Sequence, residues 1–159
     1  MLVLRSLFFA LILPGSVTLL IPYFILSARG GMAVPWWGPV QYLAGLVIAA
    51  GATVLIRCIA DFARIGRGTL APVDPPKTLV VRGLYRYVRN PMYVGVLWVL
   101  LGEAALFQSV ALLTYAAIWF LFVNLFVIFY EEPTLRAQFG ESYDQYRRSV
   151  GRWIPGRIK

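Results

Sequence analysis

The sequence predicts an all-α, polytopic membrane protein. It has about four transmembrane helices and an interfacial helix at the C-terminal end on the cytoplasmic side. Three observations predict it. Hydrophobic residues fill 60% of the 159 positions and charged residues only 14%; with a mean hydropathy of +0.72, the chain lies well above the apolar share of a soluble domain. Its apolar residues fall in runs long enough to cross the hydrocarbon layer. The Lys and Arg residues behind the net charge of +8 cluster between those runs, as cytoplasmic loops do. No nucleic-acid partner is expected, because the basic residues have no soluble scaffold on which to form a stripe. The whole chain, 1–159, reads as one integral-membrane domain.

Leu2 to Leu26 is the first span, apolar apart from Arg5 and a few Ser and Thr residues. Its Pro14 and Pro22 are tolerable where neighbouring helices satisfy the freed carbonyls. Arg5 before an apolar run is also how a signal peptide begins. The run continues past a typical h-region, however, and no A-x-A site follows, so a retained span is the expectation. Ala28 to Pro39 is a short loop, with Trp36 and Trp37 placed for an aromatic belt. Val40 to Ile56 forms a second span, whose Ala44, Gly45, Ala49, Ala50, Gly51 and Ala52 let a neighbouring helix approach closely. The two N-terminal spans thus occupy residues 1–60.

Arg57 to Asn90 reads as a long polar segment, loop-like at its centre from Gly66 to Pro76. Met92 to Phe107 is the third span and Val110 to Tyr130 the fourth, with a turn at Gln108 and Ser109 between them. At ~1.5 Å per residue the fourth is about 31 Å long, and the third needs tilt or thinning of the bilayer. Placing both basic segments inside leaves Arg29 as the one basic residue outside. The expected location is therefore the plasma (inner) membrane, with both termini and the active site on the cytoplasmic side. In the tail, Phe139, Tyr143, Tyr146 and Val150 share a helical face. They predict an amphipathic helix that serves as a peripheral anchor or as a lid.

The chemistry is bounded by what is missing. There is one cysteine, Cys58, and no histidine. An intramolecular disulfide, the histidine-containing zinc sites, and Ser-His-Asp or Cys-His catalysis are all excluded. No metal is expected. What remains is Arg, Glu, Asp, Tyr, Asn, Lys or a cofactor.

Those residues gather around Lys77 to Gly95, KTLVVRGLYRYVRNPMYVG. Arg89-Asn90-Pro91 reads as a helix start, with Asn able to cap and Pro losing no needed N–H. A helix N-terminus beside an arginine suits an anionic group. Because the third and fourth spans form a hairpin, Arg89, Asn90 and Tyr93 lie at the depth of Glu131 and Glu132. Asn124, Ile128 and Glu131 share a face of the fourth helix, an arrangement that must look onto protein or a cavity. The carboxylates opposite Arg89 form either a solvated salt bridge or a pocket of both charge signs. Such a pocket suits a zwitterionic cofactor from water and a lipidic substrate from the bilayer.

These two blocks carry a resemblance. GLYRYVRNPMYVG, and about forty residues later EEPTLRAQFGESYDQY, resemble the integral-membrane methyltransferase superfamily. It includes the isoprenylcysteine carboxyl methyltransferases and phospholipid N-methyltransferases. The pattern is met by Gly83, Tyr85, Arg89, Asn90, Pro91, Tyr93 and Gly95. It is met again by Glu131, Glu132, Leu135, Phe139, Gly140, Tyr143 and Tyr146, with the core in 77–155. The resemblance implies S-adenosylmethionine as cofactor, held by Lys77, Thr78, Leu79, Val80, Tyr85, Asn90, Pro91, Met92, Tyr93 and Glu131. It also implies a lipidic methyl acceptor from the bilayer. Arg89 suits the methionine carboxylate and Glu131 its ammonium, while tyrosine faces suit the adenine or sulfonium. Arg89 and Glu132 are the expected catalytic pair, with Glu132 the candidate base for an amine acceptor. Asn90 stands where the isoprenylcysteine branch has histidine. Val127 stands where that branch has an arginine suited to a substrate carboxylate, which leaves lipid amines, thiols and other apolar acceptors open. Two other classes remain: an NADPH-dependent sterol-reductase-like enzyme, and a structural membrane protein with a basic face for anionic lipids.

Overall fold

The computed structural model describes residues 12–30, 33–34, 36–65, 79 and 81–156. Among them the chain is helical, with no strand and an isolated parallel bridge between Val88 and Gly151. The protein is an all-α membrane protein. Two helices, Pro39–Asp61 and Val110–Phe139, are long and apolar enough to cross a bilayer, and two shorter apolar helices, Ile12–Ser27 and Pro91–Leu106, pack with them. Leu43, Leu46, Ile56, Phe122 and Phe129 stand exposed on the outer faces. Exposed apolar area of this extent is what a lipid-facing surface presents.

The first helix, α1 (Ile12–Ser27), widens into a π turn at Ser16–Leu20. The part of the expected span before Ile12 lies outside the described residues. A second π turn, Val127–Glu131, interrupts the fourth helix. Both turns have one cause. Ile21 N–H reaches back to the Ser16 carbonyl, and Glu132 N–H reaches back to that of Val127. In each case the next residue is a proline, Pro22 or Pro133, with no N–H to offer the carbonyl four residues earlier.

Helix α2 (Pro39–Ile65) runs nine residues beyond the Ile56 boundary expected from hydropathy. Apolarity ends at Arg57, but nothing from Arg57 to Ile65 breaks a helix. Arg57 and Asp61 thus project on one face of a helical extension rather than in a loop. At the other end Gln41, fully buried, accepts from the Gly38 N–H at 3.1 Å and closes the first turn.

A 3-10 turn, Gly83–Arg86, leads into α3 (Pro91–Leu106). Helices α2 and α3 pack closely. A Cβ on Gly51 would sit 2.7 Å from the Gly95 carbonyl oxygen, and one on Gly95 would sit 3.0 Å from that of Gly51. Only glycine at both positions permits this backbone approach. Of the small residues singled out in α2, Ala44 and Gly51 face the bundle, while Gly45 looks onto open space.

After the turn at Gln108, Ser109 caps α4 (Val110–Phe126) by accepting from Leu112 N–H at 3.3 Å. The helix does not stop at Tyr130 as expected. It continues through the π turn into α5 (Glu132–Phe139), breaks at Gly140 (φ 54°), and resumes as α6 (Glu141–Ser149). The amphipathic face holds. Tyr143, Tyr146 and Val150 are buried against Leu79, Leu135 and Phe139, so α6 turns its apolar side onto the chain itself.

Candidate functional site

The site is built where the start of α3 meets α5. Pro91 opens α3 at the first helical position. Asn90 does not cap it as expected, because no side-chain cap bond forms. Its Nδ2 instead donates to the Arg152 carbonyl at 3.3 Å. The preceding backbone is stitched to the C-terminal strap: Arg89 N–H donates to the Gly151 carbonyl at 2.8 Å beside the Val88–Gly151 bridge.

This places Arg89 against Glu132. Arg89 Nη1 donates to Glu132 Oε1 at 2.8 Å, with only 10% and 8% of the two side chains exposed. Arg152 donates to the same carboxylate twice, Nε to Oε1 at 2.8 Å and Nη2 to Oε2 at 2.9 Å. Arg147 stands 4.0 Å from Oε2. Glu132 is therefore held between guanidiniums, and its hydrogen bonds raise the Arg152 guanidinium above its ordinary value. Arg89 Nε is buried and without a partner.

Glu131, one residue earlier, is turned elsewhere by the helix and meets Tyr93, whose hydroxyl donates to Oε2 at 3.2 Å. Around Tyr93 is an aromatic wall. The rings of Trp119 and Trp153 each lie 6.4 Å from it, and Phe120 lies 5.2 Å from Trp153. Trp153 Nε1–H donates to Asn124 Oδ1 at 2.9 Å. The Tyr146 hydroxyl donates to the Tyr85 carbonyl at 2.6 Å, tying α6 to the 3-10 turn. Burial pushes the phenols of both Tyr85 and Tyr146 up, which keeps them protonated.

The structure thus brings Tyr85, Arg89, Asn90, Pro91, Tyr93, Glu131 and Glu132 together where the start of α3 meets α5, with Met92 half-buried in the first turn of α3. Leu79 lies beneath α6 in the cluster with Tyr143, Tyr146 and Val150. Lys77, Thr78 and Val80 lie outside the described residues. Two contributors were missed, Arg152 and Trp153. Their signal was present as GRWIP immediately after the tyrosine-rich tail block, but nothing local says that the chain end folds back to the Arg-Asn-Pro turn. Asn124 was placed on the right face, and its partner is Trp153.

A family profile described as phospholipid methyltransferase matches residues 40–142, from the start of α2 to the start of α6. The chain belongs to the phospholipid methyltransferase family. The matched range contains Arg89, Tyr93, Glu131 and Glu132 and ends before Arg152 and Trp153. Two relatives are similar to part of the chain. A protein-S-isoprenylcysteine O-methyltransferase of Schizosaccharomyces pombe (strain 972 / ATCC 24843) is 38% identical over 78 residues, covering 48% of this chain and 33% of that protein. A methanethiol S-methyltransferase of Crocosphaera subtropica (strain ATCC 51142 / BH68) is 41% identical over 71 residues, covering 45% and 27% respectively. The chain thus matches a third or less of the length of these relatives. No solved structure matches it.

Proposed function

We propose that the protein is a membrane methyltransferase that uses S-adenosylmethionine and methylates an apolar acceptor drawn from the bilayer. The observation that carries this reading is the meeting of both charge signs at the start of α3. There Arg89, its buried Nε without a partner, pairs with Glu132, and Tyr93 four positions later holds the Glu131 carboxylate, in a chain of the phospholipid methyltransferase family.

The residues fit a zwitterionic amino-acid group. Arg89 Nε–H and the uncapped N-terminus of α3 supply donors for a carboxylate. The Glu131 carboxylate supplies the counter-charge for an ammonium, and its Tyr93 bond holds it in place. The faces of Tyr93 and Trp119 offer a surface for a sulfonium or a purine. When bound, S-adenosylmethionine supplies an electrophilic methyl group whose transfer neutralises a positive sulfur. The chain's own residues then align the acceptor and keep water out. On this reading Glu132 is a positioning residue rather than a base. Both of its oxygens are committed to guanidinium donors, and its work is to hold Arg89 and the strap in register. Lys77, Thr78, Leu79 and Val80 complete the cofactor contacts by resemblance. The clustering of Arg57, Arg86 and the C-terminal basic residues supports a cytoplasmic position for this site.

The test is calorimetric titration of the detergent-solubilised protein with S-adenosylhomocysteine and, in parallel, NADPH. Saturable binding of the first, weakened about ten- to a hundredfold in Glu131→Gln, is the expected result. Binding of NADPH alone would move the protein to the reductases, and silence from both in folded protein would leave a structural role.

A further inference from the structure

We infer that Trp153 sets the size of the methyl acceptor by closing the bilayer-facing side of the gap between α3 and α4. The inference rests on the methyl-transfer reading and names its specificity-determining residue.

The strap Val150–Gly156 has little freedom. It is held by the Val88–Gly151 bridge, by Arg89 N–H on the Gly151 carbonyl, by Asn90 Nδ2 on the Arg152 carbonyl, and by Gly156 N–H on the Tyr87 carbonyl. Arg152 is anchored twice on Glu132. With its neighbours fixed in this way, Trp153 inserts its indole between Tyr93 of α3 and Phe120 of α4, and its Nε1–H is latched to Asn124. Tyr93 is the residue bonded to Glu131. The indole is therefore one ring away from the centre where donor and acceptor would meet.

The side it closes follows from helix geometry. Tyr115 donates to the Val17 carbonyl and so marks the face of α4 that α1 covers. Asn124 lies nine positions further on, and at ~100° per residue it falls on the opposite face. Leu121, three positions before Asn124 and its neighbour on that face of α4, is exposed. An apolar acceptor entering laterally on that side meets Trp153 before Tyr93. A broad ring tied down at its polar edge is a rigid wall at a membrane interface, and the room it leaves limits how bulky an acceptor can be.

The test uses the full chain in phosphatidylcholine nanodiscs with methyl-labelled S-adenosylmethionine and thiol acceptors. These run from methanethiol to dodecanethiol, in straight and branched forms. Trp153→Ala should raise kcat/KM for the longest and branched thiols, relative to methanethiol, by roughly tenfold or more. Trp153→Phe, which keeps a ring, should raise it less. Both variants should bind S-adenosylhomocysteine as the wild type does. An unchanged ratio across the series, or a parallel loss for every acceptor together with lost S-adenosylhomocysteine binding, overturns the inference. A second measurement is independent of acceptor chemistry. In nanodiscs containing brominated phosphatidylcholine, Trp153→Phe should remove a quenchable component of the tryptophan fluorescence. No change in quenching would put Trp153 away from the bilayer and overturn the inference whatever the thiols show. Absence of S-adenosylhomocysteine binding in the wild type would instead sink the methyl-transfer reading.

Discussion

Arg89 and Glu132, 43 positions apart, meet through a 2.8 Å ion pair at the junction of α3 and α5. The pair is nine-tenths buried on both sides, and Arg152 completes it from the C-terminal strap. Removing the shared carboxylate would leave two guanidiniums facing each other without compensation.

Glu132→Gln is therefore expected to destabilise the protein by about 3 kcal/mol, the cost of breaking a buried pair from one side. The measurement is unfolding in detergent with rising SDS, comparing midpoints with the wild type. An unchanged midpoint would mean that the cluster is solvated and carries no structural role. Restoring an acid with Glu132→Asp should recover only part of the loss, because a shorter side chain cannot reach both guanidiniums.

Glu131→Gln should behave in the opposite way. Its Tyr93 hydrogen bond survives with an amide oxygen, so stability changes little. The lost counter-charge should weaken S-adenosylhomocysteine binding by about ten- to a hundredfold, the usual worth of a hydrogen bond to a charged group. Calorimetry reads the affinity and SDS unfolding reads the stability. A stability loss equal to that of Glu132→Gln would refute the division of labour between the two acids.

At the α2–α3 crossing, Gly51→Ala should cost about 1–3 kcal/mol, because the added methyl lands on the Gly95 carbonyl and the helices must part. Gly45→Ala, six positions earlier on the same helix, points into open space and should be neutral. Equal effects at the two positions, measured by thermal aggregation in detergent, would contradict the crossing.

Alkaline pH should loosen the cap over the site. Burial raises the phenols of Tyr85, Tyr143 and Tyr146 above their ordinary values. The folded state therefore holds these protons more tightly than the unfolded state. That contribution is fully present below the unfolded value of about 10 and is lost as pH rises through the folded values. Stability followed from pH 8 upward should fall above about pH 10. Tyr146→Phe should make that fall shallower, while at neutral pH it costs about 1 kcal/mol through loss of the 2.6 Å bond to the Tyr85 carbonyl. A fall as steep in Tyr146→Phe as in the wild type would remove this tyrosine from the effect.

Much of this was legible in the residues. Long apolar runs can satisfy their backbone in lipid only as helices, so the all-α membrane architecture follows from hydropathy. Pro91 after Arg89-Asn90 marked the start of α3. The two motif blocks brought Arg89, Tyr93, Glu131 and Glu132 to one depth, because a helical hairpin must return to the side it left. Boundaries read less well where polarity and helicity part company. Arg57 ended the apolar run but not the helix, and Glu131 ended the fourth span while α5 continued to Phe139.

Residue order alone determined that this chain is a helical membrane protein whose charged and aromatic residues gather around the start of α3. Composition and local spacing act within a few turns of a helix, and that suffices for those conclusions. Only the tertiary structure separated Glu131 from Glu132, neighbours that a helix turns toward different partners. One is turned toward Tyr93, the other toward Arg89 and Arg152. Only the tertiary structure, too, brought Arg152 and Trp153 back to the Arg-Asn-Pro turn. That return depends on a buried ion cluster and backbone bonds between segments about sixty residues apart, and local preferences along the chain carry no information about such contacts.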